Sequence, residues 1–295
     1  MALSTYCTGC LLRKQLDTLD KNPAPEALKQ KFLRRMLQLF ADASPSDNAP
    51  ALLYRVEALH RELLGPLPGF EAQKKLYNDV MLQQVPHMQS RIDSAADPVK
   101  AALQLALVGN YIDFGAAGNV EKETLQHLLD DAFAQMISNE EYAAFCEDAD
   151  KANTLIYLTD NCGEIVADKL LIQQLRKRWP QLSITVIVRG GAAVNDATTE
   201  DARAIGMEEI APVVSSGVAM AGTDIRLVSE EARTLLQSAD LVLAKGQGNF
   251  ETMNEGELPV YFAFLCKCPW FTRRFGLELY KPVFIRRERL HLRTI

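Results

Sequence analysis

The densest run of reactive side chains in this 295-residue chain is Asp160-Asn161-Cys162-Gly163-Glu164. It follows Thr154-Leu-Ile-Tyr-Leu158, an uncharged apolar and β-branched run that reads as a strand buried on both faces. After Gly163 the apolar residues recur at helical spacing. The strand therefore empties into a helix, and two acids and an amide share one turn with the backbone N–H groups of a helix start. Such a turn can take a cation on its oxygens and a phosphate on its amides. Asp and Asn are also ordinary helix caps, and Gly an ordinary turn residue. One capping oxygen satisfies a helix end, however, and this turn carries three such side chains.

Three further segments would meet that turn at the carboxyl edge of a parallel sheet: Arg189 to Asp196, Ser215-Ser216-Gly217, and Lys245-Gly-Gln-Gly-Asn249. Asp160, the side-chain carbonyl of Asn161 and Asp196 would together give hard oxygen ligands with two negative charges and neither sulfur nor imidazole. That set suits Mg²⁺ or Mn²⁺ better than zinc. His60, His87, His127 and His291 form no ligand-spaced pair. The Lys245 segment reads as a phosphate cradle, with glycines that let the backbone approach an anion and a lysine as point charge; it lacks the spacing of a Walker A loop. Cys162 adjoins the ion site but has no neighbouring histidine in sequence to activate it. Cys7-Thr-Gly-Cys10 has metal or redox spacing and Cys266-Lys-Cys268 falls one residue short of it, so the two pairs read either as a four-cysteine zinc site or as buried thiols.

These residues need a scaffold, and the texture of the chain supplies two. Up to about residue 150 the pattern is helical, with amphipathic segments over about 25–41, 52–64, 71–94, 98–110, 122–137 and 140–152. Ser46 or Asp47 is the expected cap of the second. Asn110 and Asp113 form a polar pair at the end of the fourth, either a network that locks the helix stop or residues facing a site. From Thr154 short apolar runs alternate with helices, with strands expected at 154–158, 183–189, 213–217, 241–244 and 283–286, and strand or helix at 259–265. This is the rhythm of a doubly wound parallel sheet. The expected organisation is a helical domain over 1–150 and an α/β domain over 151–295.

Composition narrows the function. A hydrophobic content of 48% is that of a globular protein with a core, and a net charge of −6 argues against a nucleic-acid surface. No run approaches 18 uninterrupted apolar residues, and the first residues lack the basic start and apolar run of a signal peptide, so the expectation is a cytoplasmic protein that does not bind membranes.

Five segments together resemble the damage-control phosphatase family, long catalogued as a domain of unknown function: Cys7-Thr-Gly-Cys10, Gly109-Asn110-Tyr-Ile-Asp113-Phe, Asp160-Asn161-Cys-Gly163-Glu164, Val194-Asn195-Asp196-Ala197-Thr198, and Lys245-Gly-Gln-Gly-Asn249-Phe-Glu251. The cysteine pair is similar to that of the stand-alone microbial subgroup. The resemblance implies a helical N-terminal region with a Rossmann-like α/β/α domain. It implies one divalent ion, Mn²⁺, Mg²⁺, Co²⁺ or Ni²⁺, held by Asp160, Asn161 and Asp196, which would also be the catalytic set. Glu164, Lys245 and Asn249 would meet a small phosphorylated metabolite, with Asn110 and Asp113 nearby. The chain departs from the family in having Cys162 where alanine is usual, and it lacks the Arg-Thr-x-Lys motif of the subgroup that prefers sugar phosphates.

The reading that follows is hydrolysis of small phosphate monoesters, sugar phosphates or damaged metabolites, by a metal-activated water, with Asp160 as nucleophile the competing route. A non-catalytic phosphometabolite sensor could use the same edge. A dinucleotide-dependent enzyme fits the fold rhythm, but the first strand-to-helix turn is Asp-Asn-Cys-Gly-Glu rather than Gly-x-Gly-x-x-Gly.

Overall fold

The computed structural model describes residues 3–44, 46–109 and 137–290. The chain divides into two compact units, Met1–Gly69 and Phe70–Ile295. The change of sequence texture near residue 150 lies inside the second, where the sheet begins.

The first unit is three helices, α1 (Thr5–Lys21), α2 (Glu26–Ala41) and α3 (Ala49–Leu64). Leu19, Phe32, Met36, Val56 and Leu59 form its core. Their three- and four-residue spacing puts one stripe of each helix inward. Asn48, rather than Ser46 or Asp47, caps α3, its side chain accepting from the Ala51 amide. Asp47 instead accepts from the Ser44 amide and from Arg55.

The second unit opens with α4 (Glu71–Ser94), α5 (Pro98–Val108) and α6 (Asn139–Lys151). Every residue of α5 from Ala101 to Val108 except Gln104 is buried, as a helix apolar on most sides must be. The chain then enters β1 (Thr154–Leu158), α7 (Glu164–Arg178), β2 (Ser183–Val188), α8 (Thr199–Ala204), β3 (Val213–Ser215), α9 (Glu230–Gln237), β4 (Leu241–Lys245), α10 (Gly246–Met253), β5 (Val260–Leu265), α11 (Pro269–Phe275) and β6 (Pro282–Arg286). The ambiguous segment at 259–265 thus holds a strand, β5, buried at each of its positions from Val260 to Leu265. The expected helix over 122–137 lies outside the described residues.

The six strands lie in the order β3-β2-β1-β4-β5-β6. All neighbours are parallel except β5 and β6, which are antiparallel. The sheet is the expected doubly wound, largely parallel one. β1 and β4 lie side by side, Leu158 opposite Ala244, and the strand order reverses direction there. Connections leaving these two strands run to opposite sides, so a crevice opens beyond their carboxyl ends. Asp160 and Lys245 sit at that switch point. Among the described residues no helix is long and apolar enough to cross a membrane.

Candidate metal and phosphate site

The tips of β1 and β2 are fastened together by backbone. Asn161 and Asp196 form an antiparallel bridge, the Cys162 amide donates to Asn195 O at 2.9 Å, and the Ala197 amide donates to Asp160 O at 2.8 Å. Three residues on one tip and three on the other are therefore held side by side. Gly190 turns the second loop, because a Cβ there would lie 2.3 Å from the Val218 amide. Val194, two residues before Asp196, has φ of 50°, a conformation costly for a β-branched residue and typical of backbone strained at a functional loop.

Asp160, Asn161 and Asp196 are all buried. Asn161 turns its amide nitrogen to Asp160, Nδ2 donating to Oδ2 at 3.1 Å, which leaves its carbonyl oxygen as the atom for any other partner. The Asp160 carboxyl is pushed well above the usual carboxylate range, first by burial, then by the charges of Asp196 and Glu164, with Arg189 and Lys267 only partly opposing. Acids crowded in this way favour a cation over solvent. The backbone makes room for them: Gly246, at φ of 81°, lies so close that a Cβ would fall 2.0 Å from Asp160 Cγ. A hard-oxygen donor set under electrostatic tension fits a divalent ion of the Mg²⁺ or Mn²⁺ kind. Among the described residues no three His, Cys, Asp or Glu side chains gather as a metal group; the set here takes its third oxygen from an amide.

Arg189, which the sequence offered only as the start of a polar loop, is the hub of this corner. Its side chain is 1% exposed. Nε donates to Asp196 Oδ2 at 2.6 Å, and Nη1 reaches Gly222 O, Thr223 Oγ1 and Asn249 Oδ1 at 3.1–3.2 Å. Asn249 also donates to Thr159 O and Lys245 O, so it ties the start of α10 to the end of β1. An arginine directly after a strand that ends beside two acids is the signal by which sequence could have found it.

Lys245 is buried deeper. Its ammonium donates to Glu164, to Asp168 Oδ1 at 2.8 Å and to Ala106 O at 2.8 Å, three partners for three N–H groups. Tyr157 donates to the same Asp168 oxygen at 2.7 Å. Burial pulls the ammonium pKa down, but Asp168 and Glu164 more than offset it, and the net shift is upward. Burial raises the Asp168 carboxyl; Lys245 opposes and Glu164 adds, leaving it at about 6. Lys245, Glu164 and Asp168 thus form a buried polar core linking α5, α7 and β4, in which Asp168 Oδ2 is without a hydrogen bond among the described residues. The glycines after Lys245 open a helix, α10, rather than a free loop.

The start of α7 is likewise committed. The Gly163 amide donates to Asn78 Oδ1 at 2.6 Å, and Cys162 N to Asn195, so neither is the open anion-binding amide that the strand-to-helix turn suggested. α4 supplies Asn78 and also Lys74, which pairs with Asp201 at 2.5 Å, while Asp201 caps α8 through Thr198. One helix therefore pins both loops. The Cys162 thiol is held neutral, chiefly by burial and then by Asp201, which suits a packing residue rather than a nucleophile. Asn110 and Asp113 lie outside the described residues. Among the described residues, none of Cys7, Cys10, Cys266 and Cys268 forms a disulfide.

Comparison with known proteins gives the family and the fold. Residues 3–283 match the family model of the damage-control phosphatase ARMT1-like domain. A damage-control phosphatase of Archaeoglobus fulgidus is 29% identical over 285 residues, covering 95% of this chain and 97% of the relative. The damage-control phosphatase PH1575 of Pyrococcus horikoshii is 34% identical over 175 residues, 58% of this chain and 59% of that protein. The crystal structure of a DUF89 family protein from Pyrococcus horikoshii superposes with a TM-score of 0.81 at 24% identity, over 97% of this chain and 99% of that one, and so shares the fold. With the match extending along nearly the whole sequence, the chain belongs to the damage-control phosphatase ARMT1-like family.

Proposed function

We propose that this protein is a metal-dependent phosphatase that hydrolyses small phosphate monoesters, sugar phosphates or damaged phosphometabolites, in the cytoplasm. The observation that carries the reading is the buried acid pair at the switch point, Asp160 and Asp196, held together by the zipped tips of β1 and β2 with Asn161 between them. Like charges are brought together at a cost to folding, and a cation would relieve it. Asp160, Asp196 and the Asn161 carbonyl would hold the ion. A divalent cation bound there would polarise a phosphoryl oxygen and lower the pKa of a bound water.

The rest of the work falls to the chain. Arg189 orients Asp196 through Nε, which fixes one carboxylate oxygen. Gly246 lets the first turn of α10 stand against Asp160. Lys245, itself paired with Asp168, holds the buried Glu164 behind the site, where it moderates the negative charge that an incoming phosphate meets. Asp160, Asn161 and Asp196 are at most 8% exposed, and the low local dielectric strengthens every charge interaction at the phosphoryl group.

The test is a panel of phosphorylated metabolites and a generic aryl phosphate, each with Mn²⁺, Mg²⁺, Co²⁺ and Ni²⁺. Release of phosphate that needs the ion and disappears in Asp160→Asn and in Asp196→Asn is expected. Retention of a phosphometabolite without turnover under every ion would instead make the protein a sensor. Single turnover in ¹⁸O-water separates the routes: label confined to phosphate indicates attack by water, label in the enzyme indicates attack by Asp160.

A further inference from the structure

We propose that Arg189 takes hold of the substrate's phosphoryl group through Nη2, a role that rests on the phosphatase reading above. A guanidinium carries one N–H on Nε and two on each Nη. The Nε hydrogen is used by Asp196, and the two on Nη1 serve three acceptors, Gly222 O, Thr223 Oγ1 and Asn249 Oδ1. Nη2 is buried and, among the described residues, has no hydrogen-bond partner. It stands 3.6 Å from Asp160 Oδ1, beyond hydrogen-bond distance and on the side of the acid pair. An unmet buried donor costs more on a charged group than on a neutral one. A side chain so fully anchored elsewhere keeps it because the missing acceptor arrives with the ligand.

Charge points the same way. Asp160, Asp196 and Glu164 together would repel a phosphate, and a cation must face the anion. The Lys245 ammonium has its three N–H groups directed at Glu164, Asp168 and Ala106 O. Arg189 holds two N–H groups on one planar nitrogen beside the ion site, and guanidinium geometry matches phosphate oxygens. The anchors at Nε and Nη1 fix the plane, so Nη2 offers its donors without reorganisation. Arg189 thereby links the two halves of the site: the carboxylate that would hold the ion and the group that would bind to it.

The test uses the full chain with Mn²⁺ present and inorganic phosphate as the probe. Binding of phosphate is measured by calorimetry, and binding of Mn²⁺ without phosphate by electron paramagnetic resonance, for wild type, Arg189→Lys and Thr223→Val. The lysine variant should lose about tenfold or more in phosphate affinity beyond any change in Mn²⁺ affinity, because a single ammonium cannot both pair with Asp196 and reach the anion. Thr223→Val, which removes one Nη1 acceptor, should leave phosphate affinity within about threefold while lowering thermal stability. Equal phosphate binding by wild type and Arg189→Lys, or parallel losses of Mn²⁺ and phosphate in both variants, would show Arg189 to be only a buckle for Asp196. Should the lysine variant not fold, a crystal of wild type soaked in Mn²⁺ and phosphate decides: an anion oxygen within hydrogen-bond distance of Nη2 supports the proposal, and an anion bound away from it overturns the proposal. Failure of wild type to bind phosphate with any divalent ion would sink the phosphatase reading itself, whatever the variants do.

Discussion

Two polar clusters lie within one sheet edge and are built on opposite principles. Around Lys245 the donors are matched: one ammonium places its three N–H groups on Glu164, Asp168 and a helix carbonyl, a tyrosine hydroxyl shares the Asp168 oxygen, and only the acceptor Asp168 Oδ2 is without a hydrogen bond among the described residues, with Lys245, Glu164 and Asp168 all fully buried. Around Asp160 they are not matched. Two buried acids face one guanidinium that is shared among five groups and whose Nη2 lacks a hydrogen bond among the described residues. The first arrangement is what a fold needs to bury charge; the second destabilises the empty protein and is worth keeping only for a ligand. The contrast separates scaffold from site more clearly than burial does, since both clusters are nearly inaccessible.

The largest effect should come from breaking the unmatched cluster. Asp160→Asn should cut metal-dependent phosphate release by at least about a hundredfold. Because the carboxyl is raised by burial, Asp196 and Glu164, the same change should raise the melting temperature in the presence of a chelator. A variant that is both inactive and less stable in chelator would place Asp160 with the scaffold instead.

Breaking the matched cluster should act on stability. Lys245→Met leaves Glu164 and Asp168 buried without their cation and should cost about 3–5 kcal/mol, read from urea denaturation. A loss below about 1 kcal/mol would mean that the cluster is not the anchor its geometry indicates.

Gly246→Ala probes the seam between the clusters. The residue needs φ of 81°, and a Cβ would strike the Asp160 carboxylate. It should cost about 1–3 kcal/mol of stability and lower turnover with each metal, by displacing the acid rather than removing it. Unchanged turnover would show that Asp160 can shift without consequence.

The smallest effect is the most specific. Tyr157→Phe removes one hydrogen bond to Asp168 and should cost about 1 kcal/mol. In the folded protein Asp168 holds its proton to about pH 6, above its ordinary value of 3.8, so its contribution to stability is greatest below pH ~4 and declines as pH rises toward 6. The tyrosine hydroxyl lowers that carboxyl pKa, so in the variant the decline should extend to higher pH, visible in denaturation midpoints measured from pH 4 to 8.

Much of this was legible beforehand because it is local. A β-branched run ending in Asp-Asn-x-Gly-Glu can only be a strand meeting a helix, and alternation of such runs with amphipathic segments dictates a parallel sheet whose polar loops share an edge. The segment at 259–265 stayed ambiguous for an equally local reason: a short apolar run has the same pattern in a buried strand as in a buried helix. Its pairing with both β4 and β6 resolves it.

Partner choice among charged groups was not legible. Asp160, Asn161 and Asp196 could be selected by type, yet only the backbone zipper between the tips of β1 and β2 brings Asp196 beside them. Lys245 looked like a phosphate ligand because it opens a glycine-rich segment; the packing of α5 and α7 turns it toward Ala106, Glu164 and Asp168. Arg189 drew little notice because nothing in a linear sequence tells how many acceptors surround one guanidinium. Residue type and periodicity are properties of neighbouring positions, so the sequence determined the strands, the helices and the chemical stock of the sheet edge. Which charge faces which is set across separations such as the 81 residues between Glu164 and Lys245, and only the folded chain decided it.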